Sequence, residues 1–164
     1  MSQELSGTLT LILEHLLAEK ELLADEVRME LNAYWNWFKA RNKEISQLRK
    51  TGQSKSDTSS IAPVIEKKVS KSSGSYKYYI LWKHHSKKFR EKISSNTNVK
   101  SPSIPLHSYK VTNATHILLS KTTWDKDEAI KLERKLESYR IALNTIQQAE
   151  MKIRVGIRQL SKTV

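Results

Sequence analysis

Apolar positions recur every three or four residues in the N-terminal part of the chain. They fall at Leu5, Leu9, Ile12, Leu16, Leu23, Val27, Leu31, Tyr34 and Phe38, with one gap near Glu19. That period lines one apolar face along an α-helix. Good helix formers dominate from Thr10 to Arg49, and the pattern ends at TGQSKS after Ile45 and Leu48. The predicted element is a helix over residues 8–48. Gly7 weakens the turn before it, Thr8 or Thr10 supplies the cap, and Asn32 marks where a break would fall.

The C-terminal part alternates steps of four and three through Leu132, Leu136, Tyr139, Leu143, Ile146, Ile153, Ile157 and Leu160. Only Glu150 interrupts this series. A spacing near 3.5 is the signature of a helical seam. The predicted helix covers residues 124–161, with Thr123 or Asp125 at its start and Asp127 and Glu128 in the first turn, where the helix dipole favours acids. Neither helix can bury its apolar face alone. An antiparallel pair within the chain is the economical solution, and a homodimer through one seam is the other.

The region between the helices changes character. Residues 51–75 are rich in Ser and Lys, with IAPVI as the one apolar run, and read as a flexible loop. Residues 76–120 read as a β-hairpin followed by a basic loop. YKYYILW has strand composition and alternates Tyr76, Tyr78, Ile80 and Trp82 against Lys77, Tyr79, Leu81 and Lys83. HHSK then forms the turn, and KFREKI is the expected partner strand, with Lys88, Arg90 and Lys92 along one face. The expected fold class is therefore α+β: two long helices packed as an antiparallel hairpin, with a small antiparallel β element between them in sequence.

Charge divides the chain the same way. Residues 31–123 hold 18 Lys or Arg and four Asp or Glu, a net of +14. The first thirty residues hold two bases and seven acids, a net of −5, and residues 124–164 carry +3. A basic block that is also aromatic suits a polyanion, with helical scaffold on either side. Candidate phosphate contacts are Lys39, Arg41 and Lys43 at the end of the first helix, and Lys83, Lys87, Lys88, Arg90 and Lys92 around the hairpin. The bland alternative for the Lys88–Arg90–Lys92 ladder is edge-strand protection. Tyr34, Trp35, Trp37 and Phe38 read as core or inter-element packing, and Trp82 and Trp124 as core. Base stacking is the alternative for Trp37, whose neighbours Lys39, Arg41 and Lys43 are basic.

Other classes find little support. The chain has no cysteine, so there is no disulfide framework or thiolate metal site. His84 and His85 are adjacent and point apart, and no His set has ligand spacing, so no metal or cofactor is expected. Phosphate-loop and nucleophile-elbow motifs are missing, and only Glu91 lies in the β region, so no catalytic residue and no small-molecule substrate are expected. No apolar run approaches the roughly 20 residues that span a bilayer, and SQELSG lacks a basic leader, so a cytoplasmic protein is expected.

One resemblance joins these features. Tyr34-Trp35 in the first helix precedes the aromatic strand YKYYILW, the basic run KKFREKI, Ser108-Tyr109, and TTWDKDEAIKLERKLESYR opening the last helix. This order resembles the MobI-type auxiliary mobilisation proteins of conjugative plasmids and integrative conjugative elements. The resemblance covers Tyr34 to about Ile146. It implies a DNA-binding relaxosome accessory factor that acts at the transfer origin with a relaxase. The family pattern has a Gly-Lys turn where this chain has HHSKK, and residues 51–75 look like an added loop. From the residues alone, two other readings stand beside it: a helical protein-interaction module, and an RNA-binding module that uses the aromatic strand as a platform.

Overall fold

In a computed structural model the chain is α+β, and the structure describes residues 2–54, 61–71, 74–84 and 126–162. Helix α1 spans Ser2–Lys50 and helix α2 spans Lys126–Leu160. Between them in sequence lie strands β1, Ile61–Val69, and β2, Tyr76–His84, paired antiparallel as one hairpin.

Helix α1 begins earlier than the apolar pattern implies. Thr8 and Thr10 are interior residues, and their hydroxyls donate to the Glu4 and Ser6 carbonyls one turn back. Asn32 does not interrupt it. Its end is where TGQSKS places it. The Gln53 N–H donates to the Leu48 carbonyl at 2.9 Å and the Gly52 N–H to the Arg49 carbonyl at 3.2 Å. Gly52 has φ +73°, so this is a glycine-terminated helix end in which a left-handed residue lets two trailing amides satisfy the last carbonyls.

The helices run antiparallel. Leu9 lies against Gly156, Lys20 meets Gln147 and Glu150, and Glu30 meets Lys135. Residue numbers thus rise on one helix as they fall on the other. The core joins Ala24, Val27, Leu31, Tyr34 and Phe38 of α1 to Ala129, Leu132, Leu136 and Leu143 of α2 and to Tyr78, Ile80 and Trp82 of β2. The predicted seam residues Leu132, Leu136 and Leu143 are buried, whereas Tyr139 and Ile146 are only half-buried. A helix at 3.6 residues per turn drifts about 20° per heptad from a 3.5 repeat. Toward the C-terminus the buried line therefore passes from the apolar series onto Gln147 and Glu150.

The β element differs from expectation in one strand. Residues 51–75 contain β1, so they are not simply a loop, and β2 pairs with IAPVIEKKV on its N-terminal side. KFREKI lies outside the described residues. Lysine-rich composition argued against order, but β1 draws its stability from its ladder with β2 and from α1, not from its own composition. Pro63 fits because its carbonyl accepts from the Trp35 indole at 2.8 Å, on the side away from β2. The N–H that proline lacks would face that same side, so no ladder bond is lost. The alternation read in β2 holds, with Tyr78, Ile80 and Trp82 buried against the helices and Lys77, Tyr79 and Leu81 half-exposed.

Candidate nucleic-acid interface

Four lysines lie on the two strands, Lys67 and Lys68 on β1 and Lys77 and Lys83 on β2. Lys67 is on the inner face and donates to Glu21 of α1 at 2.8 Å. Lys83 is ion-paired with Glu66 and its side chain is largely buried. Its partner Glu66 lies in the segment that reads as a loop in the sequence, so Lys83 is a neutralised lysine and not a free phosphate contact. Lys68 and Lys77 stand opposite each other in the register and have no carboxylate partner among the described residues. Their ammonium groups sit 4.9 and 5.4 Å from the centre of the Tyr79 ring, within cation–π range. Among the described residues the hairpin thus carries a cluster without a carboxylate partner, Lys68–Tyr79–Lys77, on the face turned from the helices.

The other predicted contacts are spread more widely. Lys39 and Lys43 are exposed on the last third of α1, with Lys39 5.7 Å from the Trp35 ring. Arg41 pairs with Glu44 at 2.6 Å, one turn along the same helix. Lys87, Lys88, Arg90 and Lys92 lie outside the described residues, as do His85, Trp124 and the Ser108-Tyr109 pair. The sequence pattern does not single out Lys68 and Lys77, because it does not reveal β1, although the alternation puts Lys77 and Tyr79 on the same face of β2.

Trp37 is held in the helical interface, 5.4 Å from the Tyr34 ring. Together with Tyr34 it lines a cleft of about 300 Å³ between the helices, beside Glu30, Glu128, Lys131 and Lys135. Two carboxylates and two ammonium groups balance there, which is the wrong electrostatics for a polyanion.

The inner face of the hairpin is tied to the helices by three polar clusters. The Lys20 ammonium donates to the Tyr76 carbonyl, to Gln147 at 2.7 Å and to Glu150 at 2.7 Å, and lies 4.2 Å from the Tyr76 ring centre. The second oxygen of Glu150 accepts from Arg154 at 2.9 Å. In the second cluster, buried Glu133 accepts from the Trp82 indole at 2.6 Å and from both arms of Arg140, which also donates to the Ile80 carbonyl. The third joins Glu21 to the Tyr78 hydroxyl at 2.5 Å and to Lys67. Burial works to raise the Glu21 carboxyl, but hydrogen bonds from Lys67, Tyr78 and Tyr76 outweigh it and hold it down at about 2. Burial and the Glu21 charge push the Tyr76 phenol up. These clusters hold the hairpin in place, and every acid in them has a cationic partner.

Among the described residues no group of three or more His, Asp or Glu side chains could hold a metal ion, and no helix is long and apolar enough to cross a membrane. No protein-family model, no curated protein and no solved structure matches the chain.

Proposed function

We propose that this chain is a DNA-binding accessory factor that acts at a transfer origin, beside a relaxase, when a conjugative element begins DNA transfer. The observation that carries the reading is the charge division: +14 over residues 31–123 against −5 over the first thirty. The basic block supplies exposed Lys39, Lys43, Lys68 and Lys71, with Lys77 beside Lys68, and none of these has a carboxylate partner among the described residues. Such groups bind phosphates by releasing condensed counterions, which favours any nucleic acid over a neutral partner. The resemblance of the order of aromatic and basic segments to that of MobI-type proteins supports the mobilisation setting. On this reading the helical pair is the support that presents the basic surface, and its outward side is left for the relaxase.

The test is binding of the full chain to duplex DNA from the transfer origin of its own element and to unrelated duplex, over a range of salt. Engagement of about four to six phosphates gives a log–log salt slope of roughly −3 to −5. Tighter binding to the origin requires base contacts or DNA shape beyond the charge term. A folded protein that binds no DNA at about 50 mM salt would remove the reading, since charge attraction is strongest there. Equal affinity for all duplexes, with normal mating in a deletion strain, would remove the mobilisation role and leave a nonspecific binder.

A further inference from the structure

We infer that the outer face of the hairpin binds unpaired nucleic-acid strand, with one base stacked on Tyr79 and the neighbouring phosphates held by Lys68 and Lys77. This rests on the nucleic-acid reading above and narrows its ligand from polyanion to single strand.

The three tyrosines of β2 have separate uses. Tyr78 is buried and donates to Glu21, and Tyr76 gives its carbonyl and ring to Lys20. Tyr79 points away from the helices, and its hydroxyl has no hydrogen-bond partner among the described residues. It contributes neither to the core nor to the three polar clusters.

The lysines divide the same way. Lys67 and Lys83 are each paired with a glutamate, and Lys68 and Lys77 have no such partner among the described residues. Those two face each other across the ladder, and like charges directly opposite weaken a strand pair. Within the described residues the two ammonium groups share the Tyr79 ring, while Glu66, opposite Tyr79 on the same face, is engaged by Lys83 and leaves that repulsion only partly offset. Anionic groups on either side of the ring would offset it. A strand whose bases can be splayed offers such groups together with the face of a base to lie on an aromatic ring. A duplex offers the phosphates but keeps its base faces inside its own stack. Both lysine ammoniums are at the ends of flexible stems, so either can leave the ring for a phosphate when a base arrives.

The experiment uses the full chain and fluorescence anisotropy. The probes are labelled oligothymidine and oligouridine of about ten nucleotides, a length that suits a site of this kind, and a duplex of equal length. Four proteins are compared: wild type, Tyr79→Phe, Tyr79→Leu, and the double variant Lys68→Gln with Lys77→Gln. Circular dichroism confirms that each is folded. Removal of the ring in Tyr79→Leu should weaken single-strand binding by about 5- to 150-fold, the range one base–aromatic stack represents. Duplex binding should be nearly unchanged. Tyr79→Phe keeps the ring and should bind as wild type does. The double variant should lose affinity for both forms. The deoxy and ribo probes show which sugar is preferred, and ring dependence with either supports the inference. Single-strand binding by Tyr79→Leu equal to wild type, or equal losses on strand and duplex, overturns the stacking role while duplex binding by the wild type keeps the broader reading. Binding by the wild type to none of the probes overturns both.

Discussion

The Lys20 ammonium lies 2.7 Å from a Glu150 carboxylate oxygen, and both side chains are almost wholly out of solvent. The pair spans the two helices, and the Tyr76 carbonyl brings β2 to the same ammonium. Such a pair is costly to desolvate and still more costly to break. Lys20→Met should destabilise the fold by about 3–5 kcal/mol, because Glu150 keeps only Arg154 and Gln147 and Tyr76 each lose a donor. Replacing both partners, Lys20→Met with Glu150→Leu, should recover most of that loss. Urea unfolding of the two variants measures it. A loss below about 1 kcal/mol in the single variant is the size of an exposed pair and would show that the ammonium is not buried.

This pair shows what the sequence made legible. The helical series has a gap beside Glu19 in the first helix and an interruption at Glu150 in the last. In an antiparallel pair those two defects fall opposite each other, and Lys20 and Glu150 fill them jointly. Each defect alone reads as a solvated interruption; only the pairing register makes them one buried contact. Helix periods, the alternation of β2 and the end of the first helix at TGQSKS are local properties, and the local sequence carries them. The strand at Ile61–Val69 is not local, because its ladder depends on β2 and its Pro63 carbonyl on Trp35. Glu133 was hidden for a similar reason: a carboxylate beside Leu132 gives no sign that Trp82 and Arg140 will enclose it.

The seam can be tested by contrast. Leu143 is buried and Ile146 half-buried. Leu143→Ala should cost about 2–5 kcal/mol, as in other cores. Ile146→Ala should cost clearly less, since part of its surface already meets water. Equal losses would mean that the buried line follows the 3.5 spacing instead of drifting onto Gln147 and Glu150. Sedimentation at several concentrations completes the test: a seam filled within one chain predicts no dissociation of the helical pair on dilution, whereas a dimer seam would come apart.

Glu21 makes stability depend on acid. Its folded pKa, about 2, is below the ordinary carboxylate value near 4.5, so the folded state favours the charged form. The contribution is complete above the unfolded value and is lost as pH falls from about 4.5 toward 2. Glu21→Gln should therefore lower stability at neutral pH and flatten its fall through that window. Parallel stability curves for the two proteins from pH 5 to about 2 would show that Lys67 and Tyr78 do not hold the carboxylate in solution.

Basic residues of the hairpin should not contribute alike to DNA affinity. A lysine that engages a phosphate adds about one counterion to the salt dependence, and its removal makes the slope shallower by about one. Lys68 and Lys77 have no carboxylate partner among the described residues, while Lys83 is held by Glu66. Changing Lys68 and Lys77 to Gln should therefore flatten the slope by about two. Lys83→Gln should hardly move it, because Lys83 would have to give up Glu66 to reach a phosphate. Releasing that lysine provides the opposite change: Glu66→Gln should tighten binding and steepen the slope. The measurement is duplex affinity across a salt series for the wild type and three variants. A larger loss from Lys83→Gln than from the Lys68 and Lys77 pair would move the phosphate path from the outer face of the hairpin to its far end. Chain neutralisation would then not be what selects the contacts.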